Sequence, residues 1–111
     1  MLLFNQVLGL DNNEIKVLPD EVCHLSELRE LRVNNNILTY LPLDVGFMRN
    51  LTLLHARKNN IEELPPAICQ CSKLSVLDVA GNSIKTFPSG ILDLPLKVKG
   101  VFVLISYFMI S

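Results

Sequence analysis

Residues 51–61 read LTLLHARKNNI, and the same frame returns 23 residues earlier and 23 residues later. Residues 28–38 are LRELRVNNNIL, residues 74–84 are LSVLDVAGNSI, and a weaker copy, NQVLGLDNNEI, fills residues 5–15. All four follow L-x-x-L-x-L-x-x-N-x-L, the first position being relaxed in the earliest copy. Self-similarity at such a period marks units that stack in one dimension. The chain is therefore read as a solenoid, in which each unit buries its apolar side against its neighbours.

Counting units from Asn5, Leu28, Leu51 and Leu74 gives four repeats, 5–27, 28–50, 51–73 and 74–96. Positions 4 and 6 of each unit are apolar and two residues apart, so they share one face of a short strand. Position 9 is asparagine throughout: Asn13, Asn36, Asn59 and Asn82. Its carboxamide can satisfy backbone groups at the bend where the chain leaves the strand. Position 15 is always proline (Pro19, Pro42, Pro65, Pro88), preceded by Leu18, Leu41, Leu64 or Phe87. Proline cannot sit in a central strand but suits the start of a helical turn. Apolar residues then recur three apart, at Val22, Val45, Ile68 and Ile91 and at Leu25, Met48, Cys71 and Leu94. That spacing fits 3-10 or short helical turns. The expected fold is α/β: a short parallel sheet on the concave face and helical turns on the convex face.

On these residues the units resemble leucine-rich repeats, in the short form whose second half reads LPxxIxxL. The form is similar to that of intracellular scaffolds such as Scribble-like polarity proteins and the Ras–Raf scaffold with its associated phosphatase. The resemblance covers residues 5–96. It implies a leucine-rich repeat solenoid acting as a non-enzymatic scaffold or adaptor, with a protein partner on its concave face. The alternative is a targeting or sensing segment of a larger signalling enzyme, or a truncated isoform.

The ends depart from the beat. Residues 1–4 fall where an upstream repeat would close. Residues 97–111 are a hydrophobic tail, read either as unrelated sequence or as a degenerate fifth rung. With a one-residue insertion Val98, Val101, Val103, Ser106 and Phe108 would take positions 1, 4, 6, 9 and 11. Its apolar run is too short for a membrane-spanning helix, which needs roughly 20 residues. The chain is thus expected to be a stretch of a longer array.

Composition narrows the partner. Ten basic and eleven acidic residues give a formal charge of −1, with no global field for nucleic acid or an anionic membrane. The three cysteines, Cys23, Cys69 and Cys71, form no disulfide framework, which with the absence of a signal peptide points to a reducing, cytoplasmic setting. Cys71 replaces a core leucine and is expected to be buried, while His24 is expected on the surface beside core Leu25. Asn50-Leu51-Thr52 is a glycosylation sequon of the kind that arises by chance in an asparagine-rich chain.

The outward strand positions carry the candidate site. Position 5 stacks Gly9, Arg32, His55 and Asp78, position 3 stacks Val7, Glu30, Leu53 and Val76, and position 7 stacks Asp11, Asn34, Arg57 and Ala80. Neighbouring rungs lie about 4.8 Å apart. Arg32, His55, Arg57 and Lys58 therefore converge into a basic patch rimmed by Glu30, Asp11 and Asp78. These residues point to a protein partner with an acidic or phosphorylated segment, since arginine offers forked donors to carboxylate and phosphate. The competing reading is a solvated face whose charges pair among themselves, Arg32 with Asp11 and His55 with Asp78. No phosphate loop, nucleophile–base pair, metal-ligand cluster or cofactor motif accompanies the patch, so no catalysis, metal or cofactor is expected.

Overall fold

The computed structural model describes residues 6–97. The expectations for residues 1–4 and for a fifth rung from Val98 onward lie outside those residues. Within them, four three-residue strands form one parallel sheet in chain order: β1 (Val7–Gly9), β2 (Glu30–Arg32), β3 (Leu53–His55) and β4 (Val76–Asp78). The register advances by one full repeat per rung. Leu8, Leu31, Leu54 and Leu77 stand side by side, flanked by the rows Val7–Glu30–Leu53–Val76 and Gly9–Arg32–His55–Asp78.

The return segments are α1 (Asp20–Cys23) and three 3-10 turns, Leu43–Phe47, Pro66–Gln70 and Ser89–Asp93. Each is entered through an extended proline, at Pro19, Pro42, Pro65 and Pro88. The proline ring presets the entry angle, and the proline carbonyl accepts the N–H three residues on, from Val22, Val45, Ile68 and Ile91, at 2.9–3.1 Å. A proline has no N–H of its own to leave unsatisfied at this point, which is why it suits the entry.

Between sheet and turns lies a core that is almost wholly aliphatic. Leu31, Leu54 and Leu77 from the strands meet Val45, Ile68 and Ile91 from the turns, with Leu28, Leu51 and Leu74 at the entry to each strand. Each buried leucine contributes about 1.5–3 kcal/mol of transfer free energy. Cys71 lies fully inside, as its position among core leucines implies, and its thiol donates to the carbonyl oxygen of Val45 at 3.2 Å.

One expected core position is corrected. Leu25 is 49% exposed, and Cys23 takes its place in the interior. The first return turn, Asp20–Cys23, is α-helical where the other three are 3-10. Three residues complete a 3-10 turn but fall short of the 3.6 that an α turn needs. The residue three past Val22 therefore misses the core, and Cys23 swings inward. His24 is on the surface, against Asp44 at 3.0 Å and the ring of Phe47.

Candidate protein-binding face

The asparagine ladder sets the geometry of the concave face. Nδ2 of Asn59 donates to the carbonyl oxygens of Val33, Ala56 and Arg57, and its Oδ1 accepts the N–H of Leu38. Asn36 and Asn82 repeat the pattern one rung to either side. Each side chain thus ties its own turn to the previous rung, and no polar side-chain atom buried among the described residues lacks a partner. The bend they hold is where the outward residues leave the strand.

A second ladder runs one step outside the first, and the motif reading missed it. Oδ1 of Asp11 accepts the N–H of Asn34 at 2.8 Å, and Oδ1 of Asn34 accepts the N–H of Arg57 at 2.7 Å. Asn34 is thereby a positioning residue for Arg57. The residue after each of these adopts left-handed backbone: Asn12 at φ 60°, Asn35 at 56°, Lys58 at 56° and Gly81 at 72°. The Asp-Asn, Asn-Asn and Ala-Gly pairs at positions 7 and 8 were the available signal, because asparagine and glycine tolerate that conformation best.

The structure brings the six candidate residues onto one surface, in adjoining rows. Arg32 and His55 are register partners, as are His55 and Asp78. The pairing of charges differs from the expected one. Nε of Arg32 donates to Oε2 of Glu30 on its own strand, and Nε of Arg57 donates to Oδ2 of Asp78 on the next rung at 2.9 Å. Asp11 is occupied by the backbone of Asn34, and alternation along β2 places Glu30 and Arg32 on one face. The proximity of Glu30, through its hydrogen bond first and its charge second, raises the pKa of the Arg32 guanidinium. Asp78 does two jobs, because its other oxygen accepts the N–H of Ala80 at 3.2 Å. Among the described residues Lys58 and His55 enter no ion pair.

Val7, Leu53 and Val76 lie beside this charged row and add an apolar stripe that the charge pattern alone did not single out. The face is an open strand surface. Among the described residues no three acidic, histidine or cysteine groups cluster as a metal site. No helix there is long and apolar enough to cross a membrane. All three thiols are free.

Residues 50–71 match the family model described as Leucine Rich Repeat. A leucine-rich repeat protein of Leptospira interrogans superposes with a TM-score of 0.78 at 30% identity, over 92% of this chain and 29% of that one. The chain is a leucine-rich repeat protein. The plant peptide hormone receptor RGFR1, solved in complex with RGF2, is also similar to this leucine-rich repeat chain. That match has a TM-score of 0.73 and 30% identity over 80% of this chain and 15% of that one. The ectodomain of the receptor kinase SOBIR1 from Arabidopsis thaliana follows, with a TM-score of 0.61 and 29% identity over 68% and 43% of the two chains. The chain thus spans less than half the length of each of these solved proteins. A search of curated protein sequences found no match. Leucine-rich repeats commonly serve protein–protein interaction and are typically non-enzymatic.

Proposed function

We propose that this leucine-rich repeat protein is a scaffold or adaptor module that receives a segment of a partner protein across its concave face. The observation that carries the reading is the gathering of exposed Arg32, Arg57 and Lys58 around half-buried His55, on the strands and at the bend just beyond β3. A similar solenoid, the receptor RGFR1, is solved with RGF2, which supports recognition of a peptide-like partner. An acidic or phosphorylated segment suits the face chemically. Its oxygens would compete with Glu30 for Arg32 and with Asp78 for Arg57, and would meet Lys58 directly. Three free thiols suit a reducing cytoplasmic setting.

Size bounds the affinity. Three rung spacings across three-residue strands give a surface on the order of 150 Å² in projection. A stable interface buries about 800 Å² per partner. The face as described binds weakly, and further repeats or flanking surfaces would raise the affinity. That arithmetic is equally compatible with a second reading, a targeting or sensing segment of a larger signalling enzyme.

Affinity capture from cytosolic lysate tests the first reading. The wild-type chain should retain a partner that the Arg57→Glu/Lys58→Glu variant loses, while both melt cooperatively. Retention by the variant removes the patch from the account. An in-frame catalytic domain in the full transcript would decide for the second reading.

A further inference from the structure

Position 8 is left-handed in all four rungs, so the fold demands that conformation there whatever residue is present. Asn12, Asn35 and Gly81 meet the demand with the residue types that adopt it most easily. Lys58 does not, and its side chain makes no hydrogen bond or ion pair among the described residues that would repay the strain. A non-glycine residue held in this region at a ligand-facing position points to function.

Two further observations concern the same side chain. The neighbouring residue on the next rung is glycine, and a Cβ at Gly81 would stand 3.2 Å from Cγ of Lys58 and 3.3 Å from its backbone nitrogen. Gly81 thus leaves room for the lysine stem. The arginines on either side are each occupied by a carboxylate, Arg32 by Glu30 and Arg57 by Asp78. Of the lysine and two arginines of the patch, Lys58 is the one with no carboxylate partner among the described residues.

We infer that Lys58 is the anion-receiving residue of the concave face, kept in strained backbone because its ammonium contacts a carboxylate or phosphate of the partner segment. The inference rests on the binding reading above and names the group that meets the anion first. Its consequence is an opposition between stability and binding at one residue. Asparagine at position 58 relieves the strain and removes the charge together.

Fluorescence anisotropy with two labelled probes, hexaglutamate and a glycine-flanked phosphoserine peptide, tests it beside a thermal melt. Lys58→Asn should melt about 4 °C higher and bind the better probe about fivefold more weakly. Lys58→Arg should bind as the wild type does. The probe preferred by the wild type identifies carboxylate or phosphate as the source of the anion. Unchanged probe affinity in Lys58→Asn, with binding lost in Arg57→Gln, overturns the role of Lys58 and leaves the binding reading standing. Absence of wild-type binding to both probes overturns the acidic-segment reading and this inference with it. A melt that falls in Lys58→Asn overturns the strain argument.

Discussion

Nδ2 of Asn59 donates to the carbonyl oxygen of Val33, 26 residues earlier, at 2.9 Å. The bond crosses from one rung to the one before it, and Asn59 is 5% exposed. Replacing it with alanine would leave the buried N–H of Leu38 without its acceptor, while the carbonyls of Val33, Ala56 and Arg57 would each keep one donor, from Asn36, Asn82 and the Asn35 N–H. Leaving buried polar groups unsatisfied costs about 1–3 kcal/mol. Asn59→Ala should therefore lower the urea midpoint by a matching amount. Asn13→Ala is the internal control: Asn13 is exposed and bonds only to its own turn, so its loss should cost less.

The row of strand leucines predicts a gradient. Leu54 is fully buried between Leu31 and Leu77, whereas Leu8 at the first rung is only partly covered. Leu54→Ala should cost about 2–5 kcal/mol through lost transfer energy and the cavity left behind. Leu8→Ala should fall below that range, because water can enter its site. Equal losses at the two positions in chemical denaturation would contradict the stacking.

Much of this architecture was legible in the sequence because a repeat supplies its own alignment. The spacing of Leu31, Leu54 and Leu77 placed them in one row, and the invariant Asn36, Asn59 and Asn82 announced a hydrogen-bond ladder. The site was harder to read. Which residues share the face follows from alternation, but which charge pairs with which depends on side-chain reach. The Glu30–Arg32 pair lies within one strand, and Asp11 is diverted to a backbone N–H, neither of which a stacking argument weighs. Leu25 was misplaced for a different reason. A change from 3-10 to α geometry in one short turn leaves no mark in apolar spacing.

Burial governs the thiols. It pushes both Cys23 and Cys71 up to about 11 from an ordinary 9.0, with Asp44 and Asp20 adding to the effect at Cys23. The unfolded chain therefore loses these protons at lower pH than the folded chain does. Their contribution to stability is complete below about pH 9 and is lost as pH rises through about 11. Unfolding midpoints should hold steady up to pH 8.5 and decline through pH 10.5, as roughly placed by that linkage. A Cys23→Ala/Cys71→Ala variant should show a flatter decline. Thiol titration at neutral pH should label the partly exposed Cys69 first and the other two only on unfolding.

Gly81 permits a sharper test of the left-handed column. At φ 72° an alanine is strained by itself, and its Cβ would also press on Lys58. Gly81→Ala should destabilise by about 1–2 kcal/mol, the cost of left-handed backbone for a residue with a Cβ. Gly81→Asn should recover part of that loss, since asparagine accepts the conformation at Asn12 and Asn35. A neutral alanine variant in thermal unfolding would show that the column is not fixed by the stack.

Asp78 separates structure from charge. One oxygen accepts the N–H of Ala80 and the other pairs with Arg57, which is 49% exposed along its side chain. Asp78→Asn keeps an acceptor for Ala80 and removes the negative charge. An exposed ion pair is worth about 0–1 kcal/mol, so the variant should lose little stability. It should also free the Arg57 guanidinium and remove a repulsive carboxylate from the face, so that an anionic probe binds more tightly than to the wild type. Asp78→Ala should gain binding in the same way but lose more stability, because the Ala80 N–H is left without its acceptor. Tighter binding in both variants, with stability lost mainly in the alanine form, is the expected result of paired anisotropy and thermal melts. Weaker binding of the anionic probe by Asp78→Asn would mean that the carboxylate holds Arg57 in place for the anion rather than competing with it.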